Sequence, residues 1–224
     1  MSPRAILFDF DGTLIDSAAS VLASLDHALK RSNVTPVVTL DRALIGPPLR
    51  KTLATLTGSD DAALLDILAQ AFRDDYDTRG YTRTEVYAGV PEMLQGLQTQ
   101  GIALHIVTNK RLAATRRILD HLGWTAWFAG IYALDALEPA APNKPHLVAE
   151  VLRRERLPAA TTWMVGDSAE DRRSAETNAL RFFAATWGYG AAADDAEDDR
   201  SLTAPLELLQ AARRAPTATH APSD

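Results

Sequence analysis

Apolar and polar positions follow two different patterns along the chain, one typical of buried strands and one typical of helices. Short apolar runs that predict buried strands lie at 4–8, 102–107, 130–134, 161–165 and 181–186. Between them, apolar residues recur at helical spacing, as at 111–122, where Leu112, Leu119 and Leu122 share one face and Gly123 ends the helix. Strands that alternate with helices indicate an α/β fold, with a Rossmann-like parallel sheet and helices on both faces.

Residues 17–86 break this alternation, because the segment contains no convincing strand pattern. We predict one helix capped by Ser17, two short helices that start at Thr39 and at the Gly-Pro-Pro turn 46–48, and a longer helix over 60–79. The segment directly follows the first strand, so we expect it to project from the carboxyl edge of the sheet as an inserted α-helical cap.

The remaining segments complete the expected organisation. We predict that the α/β core comprises residues 1–16 and 87–214, and that the cap comprises residues 17–86. The acidic stretch 191–201 is interpreted as a solvated loop, and a final helix is predicted at 205–213. The small, polar end at 215–224 contains two Pro residues and is predicted to be a disordered tail.

Composition and charge exclude several classes of protein. The chain has 224 residues, of which 46% are hydrophobic and 23% charged, an ordinary balance for one globular unit with an insertion. A net charge of −6 gives no electrostatic surface for nucleic acid, and the absence of Cys excludes disulfides and thiolate metal sites. The apolar run before Asp9 is too short for a membrane span or a signal-peptide core. We therefore expect a cytoplasmic monomer or homodimer that binds neither membranes nor nucleic acid.

Polar side chains follow three of the predicted strands. Asp9 and Asp11 follow the first, Thr108 and Asn109 the second, and Asp167 the fourth, with Asp171 one helical turn later. In open parallel sheets, ligands bind beyond the carboxyl ends of the strands. These side chains are therefore candidates for one common site.

Four carboxylates in one crevice would need positive charge. Each pair about 4 Å apart repels by roughly 4 kcal/mol at an effective dielectric constant near 20. A divalent cation would remove much of this repulsion, and oxygen ligands without Cys or clustered His favour Mg²⁺. Lys144, at the start of a predicted helix after the third strand, could supply further positive charge.

Four short motifs resemble those of one known family. "DFDGT" at 9–13, "VTN" at 107–109, "KP" at 144–145 and "GDSAED" at 166–171 resemble the motifs of the haloacid dehalogenase superfamily, in their usual order. The resemblance covers nearly the whole chain, and the helical insert resembles the small cap of that family. "IGPPL" at 45–49, "YAGVPEML" at 87–94 and "TWGYG" at 186–190 resemble its phosphoglycolate-phosphatase-like branch. By itself, the Gly-x-Gly of the last stretch is interpreted as a turn.

The resemblance implies a role for each motif in phosphoryl transfer. Asp9 would be the nucleophile that forms an aspartyl-phosphate, and Asp11 would be the general acid and base. Lys144 would neutralise the nucleophile and the phosphoryl group. Thr108 and Asn109 would bind the phosphoryl oxygens.

The resemblance also implies a metal site and a cap contact. Mg²⁺ would be held by the carboxylates of Asp9 and Asp167 and by the backbone carbonyl of Asp11, with Asp171 orienting the metal ligands. Arg50, which follows "IGPPL", is expected to reach down from the cap and pair with an anionic part of the substrate.

The implied activity is Mg²⁺-dependent hydrolysis of a small phosphate monoester, similar to that of a phosphoglycolate phosphatase. A sugar-phosphate mutase, a phosphonate hydrolase with Lys30 or Lys51 as Schiff base, and a non-enzymatic phosphorylatable or binding module stay open as alternatives. A dehalogenase is disfavoured, since it needs neither the Asp11 acid nor Mg²⁺. The substrate could be phosphoglycolate, a nucleoside monophosphate or a sugar phosphate.

Overall fold

The computed structural model describes residues 2–190 and 200–214. The predicted tail at 215–224 and all but two residues of the predicted acidic loop at 191–201 lie outside these ranges. Within them, the chain forms a parallel sheet flanked by helices, and a helical insertion after the first strand.

The strands and helices alternate in the core and are joined by short turns. The strands are β1 (Ala5–Phe8), β2 (Ile15–Asp16), β3 (Glu85–Val86), β4 (Ala103–Thr108), β5 (Gly130–Ala133), β6 (Thr162–Gly166), β7 (Arg181–Ala185) and β8 (Ser201–Leu202). The helices are α1 (Ala18–Arg31), α2 (Leu49–Thr57), α3 (Ala62–Tyr76), α4 (Val90–Thr99), α5 (Leu112–Leu122), α6 (Lys144–Arg154), α7 (Ala169–Thr177) and α8 (Pro205–Arg214).

Six strands form the main sheet in the order β5-β4-β1-β6-β7-β8, and every neighbouring pair is parallel. β1 lies inside the sheet, where Ile6 is in register with Leu104 of β4 and with Trp163 of β6. The carboxyl ends of β1, β4 and β6 therefore meet at one edge. The five predicted strands and the α/β fold are confirmed.

Both faces of the sheet are covered by apolar side chains. Ile6 and Phe8 pack into the cluster that includes Leu94 of α4 and Ile118 of α5. Leu7 points to the opposite face, where its cluster includes residues of α6 and α7. Because successive side chains of β1 point to opposite faces and both faces are covered, every residue of the strand is buried, which explains its continuous apolar run.

The insertion has an apolar cluster of its own. Leu25 of α1, Leu53 of α2, and Leu68 and Phe72 of α3 are buried in it. Ala114 of α5 belongs to the same cluster. The three helices thus form a small bundle that rests on the core through α5.

Two chain segments connect the bundle to the core, and they pair as a short antiparallel ribbon. Ile15 of β2 is opposite Val86 of β3, and Asp16 is opposite Glu85. The prediction of no strand within 17–86 was therefore wrong at β3, because two residues are too few to show a period of two.

The start of one cap helix also differs from the prediction. No helix begins at Thr39; a 3₁₀-helix spans Arg42–Leu44 instead. Its amino end is capped by Asp41, whose side chain accepts a hydrogen bond from the backbone N–H of Ala43 at 2.9 Å. Asp at this position satisfies a free N–H group, as a capping residue does in longer helices.

None of the helices in the described ranges is both long enough and apolar enough to span a membrane.

Leu68 is fully buried in the cap cluster, whereas its neighbour Ile67 is 59% exposed. We expect Leu68→Ala to lower the free energy of unfolding by about 2–5 kcal/mol, because it removes buried methyl groups and leaves a cavity. Ile67→Ala, a control on the same helix, should change it by at most about 0.5 kcal/mol. Urea unfolding followed by circular dichroism measures both, and equal losses would contradict the proposed cap core.

Candidate active site

The chain makes a tight turn directly after β1. Gly12 has φ +86, and its N–H donates to the carbonyl of Ile15 at 2.9 Å. A Cβ at Gly12 would lie 2.3 Å from Oδ2 of Asp167, so any side chain there would clash. Glycine therefore allows both the turn and the close approach of the loop to β6.

A buried lysine joins two aspartates at this edge of the sheet. Nζ of Lys144 lies 2.5 Å from Oδ1 of Asp9 and 2.5 Å from Oδ1 of Asp171. All three side chains are almost completely buried. Lys144 stands in the first turn of α6, which is capped by Asn143, whose side chain accepts from the N–H of His146 at 3.0 Å.

Asp171 is held by the start of its own helix. Its Oδ2 accepts hydrogen bonds from the hydroxyl of Ser168 at 2.6 Å and from the Ser168 N–H at 3.1 Å. The hydroxyl of Ser168 in turn accepts from the Asp171 N–H at 3.2 Å. This capping box fixes the carboxylate, while its Oδ1, although beside Lys144, has no well-aligned hydrogen-bond donor.

Asp167 is held by backbone N–H groups of the loop after β7. Its Oδ2 accepts from the N–H of Tyr189 at 2.7 Å and from the N–H of Gly190 at 3.1 Å. A Cβ at Gly188 would lie 2.3 Å from the carbonyl oxygen of Gly12, so the two loops touch through glycines. The "GYG" stretch, which was interpreted as a turn, thus also orients a site carboxylate.

These carboxylates fit a metal ion. One oxygen each from Asp9, Asp167 and Asp171 can be chosen so that all three lie within 4.8 Å of one another, and all three residues are buried. Lys144 supplies one positive charge to Asp9 and Asp171, which leaves the three acids in excess of the cation beside them. Oxygen ligands of this kind are those that hard divalent cations prefer.

The pKa values reflect this crowding of charge. Burial raises the pKa of Asp9 well above its ordinary value, the charges of Asp171 and Asp167 raise it further, and Lys144 opposes them. Burial and the charge of Asp171 raise the pKa of Asp167 to about 6. Burial alone lowers the pKa of Lys144, but the charges of Asp171 and Asp9 outweigh it, and the pKa is raised. A single lysine thus stands among three acids.

Asp11 faces a different partner. Its carboxylate accepts hydrogen bonds from the hydroxyl of Ser17 and from Nζ of Lys110, which lies 3.0 and 3.3 Å from its two oxygens. Lys110 was not among the predicted site residues. The available signal was its position directly after Thr108 and Asn109, at the same edge of the sheet.

Thr108 and Asn109 both lie at the carboxyl end of β4. Thr108 is buried, and its hydroxyl accepts from the Lys110 N–H at 3.1 Å. The amide of Asn109 donates to the carbonyl of Gly46 in the cap at 3.1 Å and to Glu170 at 2.7 Å. Asn109 therefore bridges the core and the cap loop at the site.

A cavity of about 520 Å³ lies between the core and the cap. Its lining includes the predicted site residues Asp9, Asp11, Asn109, Lys144 and Asp167, together with the cations Arg42, Lys51 and Arg173. A smaller cavity of about 70 Å³ adjoins it and extends under the cap helices. The structure thus brings most of the predicted site residues to one space.

Arg50 is not part of the lining of either cavity. Its side chain is half exposed and pairs with Asp66 of α3. Of the two lysines considered for a Schiff base, Lys51 lines the larger cavity, whereas Lys30 is exposed and pairs with Asp26 at 2.7 Å. The next residue along α2 from Arg50, rather than Arg50 itself, therefore faces the site.

Tyr189 links the site to the beginning of the cap. Its hydroxyl accepts from the N–H of Ser17 at 2.7 Å and donates to Asp16 at 2.8 Å. Arg42 pairs with the same Asp16 at 3.1 Å and lies 5.9 Å from the centre of the Tyr189 ring. The loop that orients Asp167 therefore also holds the connection between core and cap.

Comparison with known proteins identifies similar chains in one family. A family model described as haloacid dehalogenase-like hydrolase matches residues 6–185. A phosphoglycolate phosphatase from Xanthomonas campestris is 35% identical over 197 residues, which cover 86% of this chain and 87% of that protein. A 5'-nucleotidase from Pseudomonas aeruginosa is 30% identical over 186 residues, which cover 83% of each chain.

A tyrosine-protein kinase, PtkA from Mycobacterium tuberculosis, is also similar, with 32% identity over 192 residues. The match covers 85% of this chain but only 65% of the length of the kinase. Among solved structures, a haloacid dehalogenase-like family hydrolase from Streptococcus pneumoniae superposes with a TM-score of 0.80 at 26% identity. It covers 93% of this chain and 98% of that one.

The raised pKa of Asp167 predicts how stability depends on pH when divalent ions are removed. The folded state keeps a proton on Asp167 up to a pKa of about 6, whereas the ordinary pKa of the side chain, which applies to the unfolded chain, is 3.8. Its contribution to stability is therefore present below the unfolded pKa and is lost as the pH rises through the folded pKa. With a chelator present, the free energy of unfolding should fall between pH 5 and pH 7.

Asp167→Asn should reduce this pH dependence, because an amide does not titrate. Urea unfolding at pH 5, 6 and 7 measures the slope for the wild type, for this variant and for Asp60→Asn, an exposed control. A slope unchanged in Asp167→Asn would show that Asp167 does not bind the proton.

Proposed function

This chain belongs to the haloacid dehalogenase-like hydrolase family, and we propose that it is a phosphatase that hydrolyses a small phosphate monoester. The observation that carries the proposal is that the two aspartates after β1, Asp9 and Asp11, have different partners. Asp9 is buried against Lys144 beside the candidate metal ligands, whereas Asp11 pairs with Lys110 and lines both cavities. One carboxylate can act on the phosphorus while the other exchanges a proton with the leaving group.

The proposed reaction has two steps that use this separation. In the first, an oxygen of Asp9 forms a bond to phosphorus, the ester P–O bond breaks, and the leaving oxygen takes a proton from Asp11. In the second, Asp11 takes a proton from a water molecule, which attacks phosphorus and releases phosphate from Asp9. Lys144 holds positive charge beside Asp9 throughout, where negative charge develops.

We propose Mg²⁺ as the cofactor. Asp9, Asp167 and the backbone carbonyl of Asp11 would hold the ion, and Asp171 would orient its ligands. A bound divalent cation supplies positive charge that offsets the repulsion between a phosphate dianion and the Asp9 carboxylate. Support for Mg²⁺ comes from the oxygen-only ligands and from the buried excess of acids over lysine.

Thr108 and Asn109 are proposed to bind phosphoryl oxygens, because they lie at the carboxyl end of β4, next to Lys110. Outer parts of the substrate would meet the cap. The cap cations that line the larger cavity are Arg42 and Lys51. We propose that these two residues contact the outer parts of the substrate, since Arg50 is paired with Asp66 instead.

The names of the relatives describe different activities, and the share of each relative that the match spans favours the phosphatase. The match spans 87% of the phosphoglycolate phosphatase but 65% of the kinase.

A phosphonate hydrolase with Lys30 as Schiff base is not supported, because Lys30 is exposed and lines neither of the two site cavities. Lys51 lines the larger cavity, so it keeps that alternative open. A mutase would give an isomeric phosphate rather than free phosphate, and a binding module would show no turnover. We propose action on small phosphorylated metabolites in the cytoplasm.

Asp9→Asn tests the nucleophile. The amide is nearly the same size but cannot form the phosphorylated intermediate, so kcat on p-nitrophenyl phosphate should fall by at least about a thousandfold. Stability should hold or rise, since the change removes a buried charge whose pKa is raised by burial. The exposed Asp60→Asn is the matched control. More than a few per cent residual activity, in protein free of wild-type carry-over, would contradict the assignment.

Metal replacement tests the cofactor. We expect phosphate release to require Mg²⁺ and to stop when excess chelator is added. Ca²⁺ should inhibit, because it accepts more ligands and bidentate carboxylates, which would occupy the attacking oxygen of Asp9. Steady-state assays with each ion and with chelator measure this, and full activity in chelator would refute a metal requirement.

A further inference from the structure

Ser17 stands at the start of α1, but its side chain does not cap the helix, contrary to the prediction from the sequence. A serine at this position usually accepts a hydrogen bond from a backbone N–H of the first turn. Here the buried hydroxyl instead donates to Oδ1 of Asp11. The start of α1 therefore needs another acceptor, and the hydroxyl of Ser17 is available to hold a proposed reacting carboxylate.

The hydroxyl of Tyr189 supplies that acceptor from another part of the chain. It accepts from the N–H of Ser17 at 2.7 Å and from the N–H of Ala18 at 3.2 Å, and it donates to Asp16 at 2.8 Å. Ala18 has a second acceptor, because its N–H also donates to Asp16 at 3.0 Å, and Asp16 has a second partner in Arg42 at 3.1 Å. Within residues 2–190 and 200–214, the N–H of Ser17 is therefore the group that depends on Tyr189 alone.

Tyr189 contacts the candidate metal site through its backbone rather than through its side chain. Its N–H donates to Oδ2 of Asp167 at 2.7 Å, next to the N–H of Gly190 at 3.1 Å. The same loop is also fixed by Trp187, whose Nε1 donates to the carbonyl of Thr13 at 3.0 Å. Removing the hydroxyl of Tyr189 thus leaves in place the N–H groups that hold Asp167.

Two contacts fix the orientation of the Asp11 carboxylate. The hydroxyl of Ser17 donates to its Oδ1, and Nζ of Lys110 lies 3.0 Å from the same oxygen. Its Oδ2 has a longer contact, 3.3 Å, to that Nζ. An acid that protonates a leaving oxygen must present one of its own oxygens within hydrogen-bond distance. Holding Oδ1 leaves Oδ2 for this proton transfer, and a shift of the Ser17 backbone would remove one of the two contacts that set the orientation.

We propose that Tyr189 is a positioning residue for proton transfer by Asp11 and that it acts through Ser17. The hydroxyl of Tyr189 fixes the backbone of Ser17, and the hydroxyl of Ser17 in turn fixes Oδ1 of Asp11. The proposal rests on the proposed phosphatase function. It gives the loop after β7 a part in proton transfer, in addition to the orientation of Asp167.

The test compares two esters whose leaving groups differ in how much they need a proton. p-Nitrophenolate leaves as a stable anion, whereas phenolate leaves less readily, since its conjugate acid has a pKa of about 10, as the tyrosine side chain has. For Tyr189→Phe we expect kcat/KM, which reports the first step, to fall at least about tenfold on phenyl phosphate and less than about threefold on p-nitrophenyl phosphate. The Mg²⁺ concentration that gives half-maximal activity should not change, because both N–H groups on Asp167 remain.

Two further variants accompany this measurement. Ser17→Ala should show the same difference between the esters, and the double variant should lose no more than either single variant, because both changes break one chain of contacts. Tyr132→Phe is the matched control. It also removes a hydroxyl that is paired with a carboxylate, that of Glu155, but Tyr132 lies on β5 and lines neither site cavity. Both values of kcat/KM should therefore stay unchanged in this variant.

Three results would overturn the proposal while the phosphatase function stands. Equal losses on both esters would show a general effect on the site, an unchanged kcat/KM for phenyl phosphate would show that the hydroxyl is not needed, and a raised Mg²⁺ requirement would show that it serves Asp167. If Tyr189→Phe does not fold, Ser17→Ala decides by the same comparison. If the wild type releases phosphate from neither ester nor from any other phosphate monoester, the phosphatase function itself fails, and the proposal with it.

Discussion

The ion cluster around Lys144 is the interaction on which the site depends. The loop after β1 and the connection from β6 into α7 bring Asp9, Asp167 and Asp171 into a buried space, where desolvation and mutual repulsion oppose their charges. Lys144 contacts two of them, but one positive charge does not balance three acids. This imbalance favours a divalent cation, and it explains why the loops must hold the carboxylates firmly enough to resist their repulsion.

Close packing of backbone provides that firmness. The loops after β1, β6 and β7 touch where a side chain would clash, because a Cβ at Gly12 would meet Asp167 and a Cβ at Gly188 would meet both Gly12 and Asp167. Ser168 caps α7 and holds Asp171, while backbone N–H groups of the loop after β7 hold Asp167. Backbone donors are suited to this task because they cost little conformational entropy to place once the loop is folded.

The cap completes the site rather than merely covering it. Asn109 donates to the carbonyl of Gly46, and Lys110 lies against the ring of Tyr76, so residues at the end of β4 contact the cap directly. The hydroxyl of Tyr189 joins the loop that orients Asp167 to the start of α1. The cap therefore contacts both the residues proposed to bind the phosphoryl group and the loop that orients Asp167.

The α/β fold and the edge of the sheet where polar groups gather follow from local sequence patterns, because strand and helix periods are local and Asp9, Thr108 and Asp167 each lie at or just after the end of a strand. Which of these side chains meet depends on how the elements pack. The pairing of Lys110 with Asp11 joins residues far apart in the chain, and no local pattern encodes it. Neighbouring residues on a helix point about 100° apart, so the orientation of α2 on the core turned Lys51 toward the cavity and Arg50 toward Asp66.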